Sequence, residues 1–147
     1  MKEFKLLDFY YSPGYCDMNG GSHGTSLRNK DGAWVMECAD REYHSAPRVV
    51  AVYEVADDAV KEFERFLAGK RVTSLEKRRK SDLFITDYSP WSISFDYRVK
   101  VLGKETRRHC GIYEYRKYTK RDIKLLSELK KRFAALKGAK ISETTGE

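Results

Sequence analysis

From Ser92 to Leu102, Ile93, Phe95, Tyr97, Val99 and Val101 alternate with Ser94, Asp96, Arg98 and Lys100. A period of two sustained over this length specifies a β-strand with one dry face and one wet face. Such a strand belongs in an antiparallel sheet packed on one side. Gly103 allows a turn, and Thr106 to Tyr115 reads as the return strand.

The rest of the chain adds strands before it and two helices around it. Glu3 to Tyr11 is apolar on both faces and therefore reads as an interior strand, stopped by Ser12-Pro13-Gly14. His23 to Asn29 and Ala33 to Cys38 flank Asp31-Gly32, a dipeptide suited to a tight hairpin because both of its residues tolerate positive φ. Arg48 to Val55 alternates Val49, Ala51, Tyr53 and Val55 with other residues, and Asp82 to Asp87 reads as a short further strand. A first amphipathic helix is expected from Asp57 or Asp58 to Ala68, with Val60, Phe63, Phe66 and Leu67 on one stripe and Gly69 as the residue after it. A second is expected from Thr119, with Asp122 closing a capping box, to about Gly138. Its stripe is Leu125, Leu126, Leu129, Phe133 and Leu136.

Strands clustered before and between helices, without βαβ alternation, predict an α+β fold: a mainly antiparallel sheet with two amphipathic helices packed on one face. Residues 1–138 are expected to form a single domain, and 139–147, small, polar and unpatterned, a flexible tail. Phe9-Tyr10-Tyr11-Ser12-Pro13-Gly14, Gly20-Gly21-Ser22-His23-Gly24 and Trp91-Ser92-Ile93-Ser94-Phe95 follow one another as aromatic strand, glycine-rich loop and Trp-led strand. In this layout the chain resembles a group of small uncharacterised bacterial domains. The resemblance implies an α+β fold and no activity.

Charge divides the chain. Residues 1–70 carry net −3 and residues 71–147 net +10, an asymmetry that favours an acidic partner such as nucleic acid. No apolar stretch approaches the roughly 20 residues needed to span a bilayer, and the first residues lack the apolar core of a secretory signal. No membrane partner is expected, and the expected location is the cytoplasm. Three scattered cysteines, Cys16, Cys38 and Cys110, read as reduced thiols rather than a disulfide framework.

Two groups of residues are candidates for binding. The basic segments are Lys77-Arg78-Arg79-Lys80, Arg107-Arg108 and Arg116-Lys117 with Lys120-Arg121, the last interleaved with Tyr113, Tyr115 and Tyr118. Cations for phosphates and rings for bases are what single-stranded nucleic acid requires. Gly20, Gly21, Ser22, His23 and Gly24 form a loop whose backbone N–H groups could cradle an anion, although no Walker or dinucleotide-binding pattern is present. His109 beside Cys110 invites a thiolate reading, but neighbours on a strand point to opposite faces. No catalytic constellation, metal-ligand spacing or cofactor motif occurs, so no cofactor is expected. The sequence therefore points to a non-enzymatic binding module, whose partner is another protein or a second copy of the chain. The alternative is a nucleic-acid-binding domain using the basic second half, and the third reading is an enzyme with an unrecognised site.

Overall fold

The computed structural model describes residues 2–14, 22–43, 45–80 and 91–146. The expected strand Asp82 to Asp87 lies outside them, as do Gly20 and Gly21 of the loop and Cys16. Among the described residues, seven strands form one antiparallel sheet: β1 (Lys2–Ser12), β2 (Ser22–Lys30), β3 (Ala33–Arg41), β4 (Arg48–Glu54), β5 (Ser92–Val101), β6 (Lys104–Tyr113) and β7 (Lys140–Gly146), in the order β6-β5-β1-β2-β3-β4-β7. Helix α1 (Asp57–Gly69) and a short 3₁₀ helix (Val72–Lys77) follow β4, and α2 (Lys120–Ala134) lies between β6 and β7. The mixed α+β class and the antiparallel sheet are as the sequence implies.

Alternation sorts the strand residues onto two faces. One face buries Leu6, Phe9, Leu27, Met36, Ile93, Phe95, Val99, Cys110 and Ile112, each at most 2% exposed. The other carries Asp96, Arg98 and Lys100 from β5, and Tyr10 and Asp8 from β1. β1 looks apolar on both faces in sequence because of a bulge: its register on β5 shifts between Leu6 and Asp8, so Leu6 and Phe9 share a face although three residues apart. The strand is interior, flanked by β5 and β2.

The helices bring aromatic rings to this core. Phe9 meets Phe63 of α1 edge-on at 5.1 Å, Phe133 of α2 at 4.6 Å and Phe95 of β5 at 5.3 Å between ring centroids. Thr119 and Asp122 form the expected capping box of α2. The hairpin turn takes positive φ at Asp31 and Gly32, and the β5–β6 turn does so at Leu102 and Gly103.

Three expectations are corrected. Gly69 closes α1 as a helical residue, and the left-handed residue beyond it is Arg71, with φ of 52°. Helix α2 ends at Ala134, short of Gly138. The segment expected to be a flexible tail is β7, paired with β4 from Tyr53↔Lys140 to Arg48↔Gly146. Its side chains are all exposed, so it is held by backbone hydrogen bonds and leaves no apolar pattern to read. Gly138 anchors its approach: its N–H donates to the Glu54 carbonyl at 2.8 Å, and a Cβ there would meet that oxygen at 2.6 Å.

Candidate nucleic-acid interface

Two of the three basic segments are brought together by the backbone. Lys80 forms an antiparallel bridge with Arg116, and the Lys117 N–H donates to the Arg79 carbonyl at 2.8 Å. Runs 36 residues apart in sequence thus lie side by side where β6 leads into α2. Arg79, Lys80, Lys117, Lys120 and Arg121 are exposed along this rim.

Arg78 belongs to the same run and has a different task. Its guanidinium grips the Asp122 carboxylate with Nε at 2.7 Å and Nη2 at 3.0 Å, the paired geometry that suits these groups. Asp122 is 4% exposed, and Arg78 beside it, with the Thr119 N–H and hydroxyl contributing, holds its pKa down at about 2. Arg78 therefore ties the segment after the 3₁₀ helix to the N-terminus of α2. Lys120 and Arg121 occupy the first turn of that helix, where the exposed N–H groups disfavour cations. The helix terminus itself thus does not favour positive charge at those two positions.

The third segment stays apart. Arg107 and Arg108 point to opposite faces of β6. Arg107 and His109 lie on the polar face and both reach Asp96, Arg107 Nη2 at 2.7 Å and His109 Nδ1 at 2.6 Å, holding its carboxyl below the usual range. Arg108 lies opposite Tyr97, five residues from the end of β6, or about 17 Å along an extended strand.

Aromatic groups border the rim. Tyr113 is 42% exposed on the polar face, with the Arg116 guanidinium 5.5 Å from its ring centroid. Its ring lies along its own strand over Gly111, where a Cβ would meet the Tyr113 hydroxyl at 2.6 Å. Trp91 stacks with Tyr118 at 6.3 Å, and Lys130 sits 4.3 Å above the Trp91 ring. Burial there lowers the pKa of Lys130. The Tyr118 hydroxyl donates to the Tyr113 carbonyl at 2.5 Å and is pushed up to about 12 by burial.

The remaining candidates fare differently. Ser22, His23 and Gly24 are strand residues of β2, paired with Arg41, Asp40 and Ala39. His23 Nδ1 lies 2.8 Å from Asp40. Cys110 is 1% exposed and burial pushes its thiol up to about 12, the opposite of an activated thiolate. No group able to hold a metal ion occurs among the described residues, and no described helix is long and apolar enough to cross a membrane. Sequence reasoning missed Arg28, Arg41 and Arg48, which share one concavity on the polar face with Tyr10. Only the β2–β3–β4 register brings them together. No family model, curated protein or solved structure matches the chain.

Proposed function

We propose that the protein is a non-enzymatic binding module whose ligand is single-stranded nucleic acid, held along the rim formed by Arg79, Lys80, Arg116, Lys117, Lys120 and Arg121. The joining of the two basic runs through the Lys80–Arg116 bridge carries this reading. It is supported by the exposed Tyr113 ring next to Arg116, since rings flanked by cations bind successive bases and phosphates with little regard to sequence. The unfavourable placement of Lys120 and Arg121 in the first turn of α2 supports it as well. The reading assumes the cytoplasmic setting that the cysteine pattern leads one to expect.

The same reading takes α1 and α2 to cover one face of the sheet, leaving the polar face to solvent. Strand order makes β4 parallel to β5, and β6 parallel to β7. The crossover through α1 traverses the sheet in one direction, that through α2 in the other, between strands of opposite sense. Two crossovers of the usual right hand then lie on the same side. Contact of Phe9 with both Phe63 and Phe133 fits this arrangement.

Fluorescence anisotropy of a labelled single-stranded oligonucleotide tests the proposal. Binding should weaken steeply with salt, and Arg79→Ala, Lys80→Ala and Arg116→Ala together should flatten the log–log slope by about 2, near 0.7 per lost phosphate contact. Arg78 is left intact because its loss would disturb α2. Salt-insensitive binding, or none at low salt, would remove the proposal.

A further inference from the structure

The polar face holds a second feature that the rim does not use. β2, β3 and β4 each contribute one arginine, Arg28, Arg41 and Arg48, to a concavity of about 410 Å³, a size in the range of small-molecule sites. The register that pairs Asp40 with Val49 brings Arg41 beside Arg48 one residue further on. Like charges opposite one another on neighbouring strands weaken a sheet, so the pairing of β3 with β4 does not account for Arg48 opposite Arg41. Among the described residues lining the concavity, Glu37 is the one carboxylate. It already accepts a hydrogen bond from Lys30, and with the nearby charges of Arg28 and Arg48 this keeps it ionised.

The walls are as particular as the charges. The Tyr10 ring lies so closely over Gly24 that a Cβ at Gly24 would sit 2.5 Å from the Tyr10 hydroxyl oxygen and 3.0 Å from its ring. Tyr10 is nevertheless 40% exposed, and Ala39 and Val50 supply apolar surface beside it. The concavity thus offers the guanidiniums of Arg28 and Arg48 with Arg41 beside them, one flat aromatic wall and one carboxylate acceptor.

We propose that this concavity binds a small phosphate monoester bearing a planar ring, of the mononucleotide class. The guanidiniums of Arg28 and Arg48 take the phosphate, which they match in bidentate geometry. Tyr10 stacks on the ring, and Glu37 accepts from an N–H or O–H of the ligand. Gly24 serves by leaving room for Tyr10 rather than by lending its N–H to an anion. The ligand is either a free mononucleotide or the phosphorylated end of a strand, and the site stands without the rim.

Calorimetric titration of the full chain with adenosine monophosphate tests this. Saturable binding is expected, weakened about tenfold or more by Arg28→Ala with Arg48→Ala, a change of roughly 1.4 kcal/mol per tenfold. Gly24→Ala should weaken it severalfold at an unchanged melting temperature, because the Tyr10 ring can swing aside. Arg79→Ala with Arg116→Ala should leave it untouched, which separates failure of this site from failure of the rim. Competition by a 5′-phosphorylated but not a 5′-hydroxyl oligonucleotide supports a strand end as the ligand; competition by neither supports a free nucleotide. Absence of saturable binding at millimolar ligand, full binding by the double arginine variant, or inorganic phosphate binding as tightly as the nucleotide would overturn the proposal.

Discussion

Phe9 and Tyr10 are neighbours on β1, yet Phe9 is 1% exposed and Tyr10 40%. The difference extends across the sheet. The Phe9 ring meets Phe95 of β5, Phe63 of α1 and Phe133 of α2. On the face of Tyr10, small residues support two tyrosines, Tyr10 over Gly24 and Tyr113 over Gly111, among charges such as Asp96, Arg107 and Glu37. The contrast teaches that apolar packing and the exposed charged and aromatic groups are carried by alternate residues of the same strands. Substitutions one position apart should therefore separate the two.

The largest effect tests that separation directly. Phe9→Ala removes a ring that touches both helices and β5, and should cost about 3–5 kcal/mol of unfolding free energy. Tyr10→Ala, on the polar face, should cost less than about 1 kcal/mol. Urea denaturation of the two variants decides it, and equal losses would break the comparison.

A smaller effect applies the same contrast to the rim. Arg78→Ala leaves the Asp122 carboxylate buried without its guanidinium and should cost about 2–3 kcal/mol, toward the low end for a broken buried pair because Arg78 is itself a third exposed. Arg79→Ala should fall within about 0.5 kcal/mol of the parent while weakening oligonucleotide binding. Two adjacent arginines with equal stability effects would contradict the division of labour drawn between them.

These contrasts also mark what is legible in the sequence. The buried face is written in the alternation from Ile93 to Val101 and in the stripes Val60–Leu67 and Leu126–Phe133, because burial demands apolar side chains at a fixed period. Thr119 and Asp122 announce the start of α2 because capping is local. β7 was illegible for the converse reason: all of its residues are exposed, and what joins it to β4 is the pairing of its backbone. The bulge at Leu7 was hidden because a doubled apolar pair reads as two buried faces. As for sites, the basic runs could be listed from sequence, but only the Lys80–Arg116 bridge joins two of them and leaves Arg107 and Arg108 apart. Arg28, Arg41 and Arg48 gave no signal, since isolated arginines acquire a common location only through strand register.

Acid sharpens the role assigned to Asp122. Its carboxyl is held at about 2 in the fold against a usual 3.8. A group whose pKa is lowered by folding contributes its full stabilisation above the unfolded value and loses it as pH falls through the folded one. Stability should thus be level above about pH 4 and decline by about 1–2 kcal/mol between pH 4 and 2 from this residue, at 1.36 kcal/mol per unit and discounted for the partly exposed Arg78. Denaturation of Asp122→Asn across that range should lack this component. An unchanged acid slope would mean that Arg78 and Asp122 do not pair in solution.

The smallest effect has the opposite sign. Lys120 opens α2 at its first helical position, where unpaired N–H groups favour a carboxylate over an ammonium. Lys120→Glu exchanges one for the other and should stabilise the protein by about 0.5–1 kcal/mol, read as a raised urea midpoint with an unchanged slope. The same change places a negative charge on the proposed path of a phosphate backbone and should weaken oligonucleotide binding, most at low salt. A gain in stability joined to a loss of binding is what a residue kept for its ligand should show. A variant that loses stability would remove the helix-terminus argument for the rim, and one that binds as before would take Lys120 out of it.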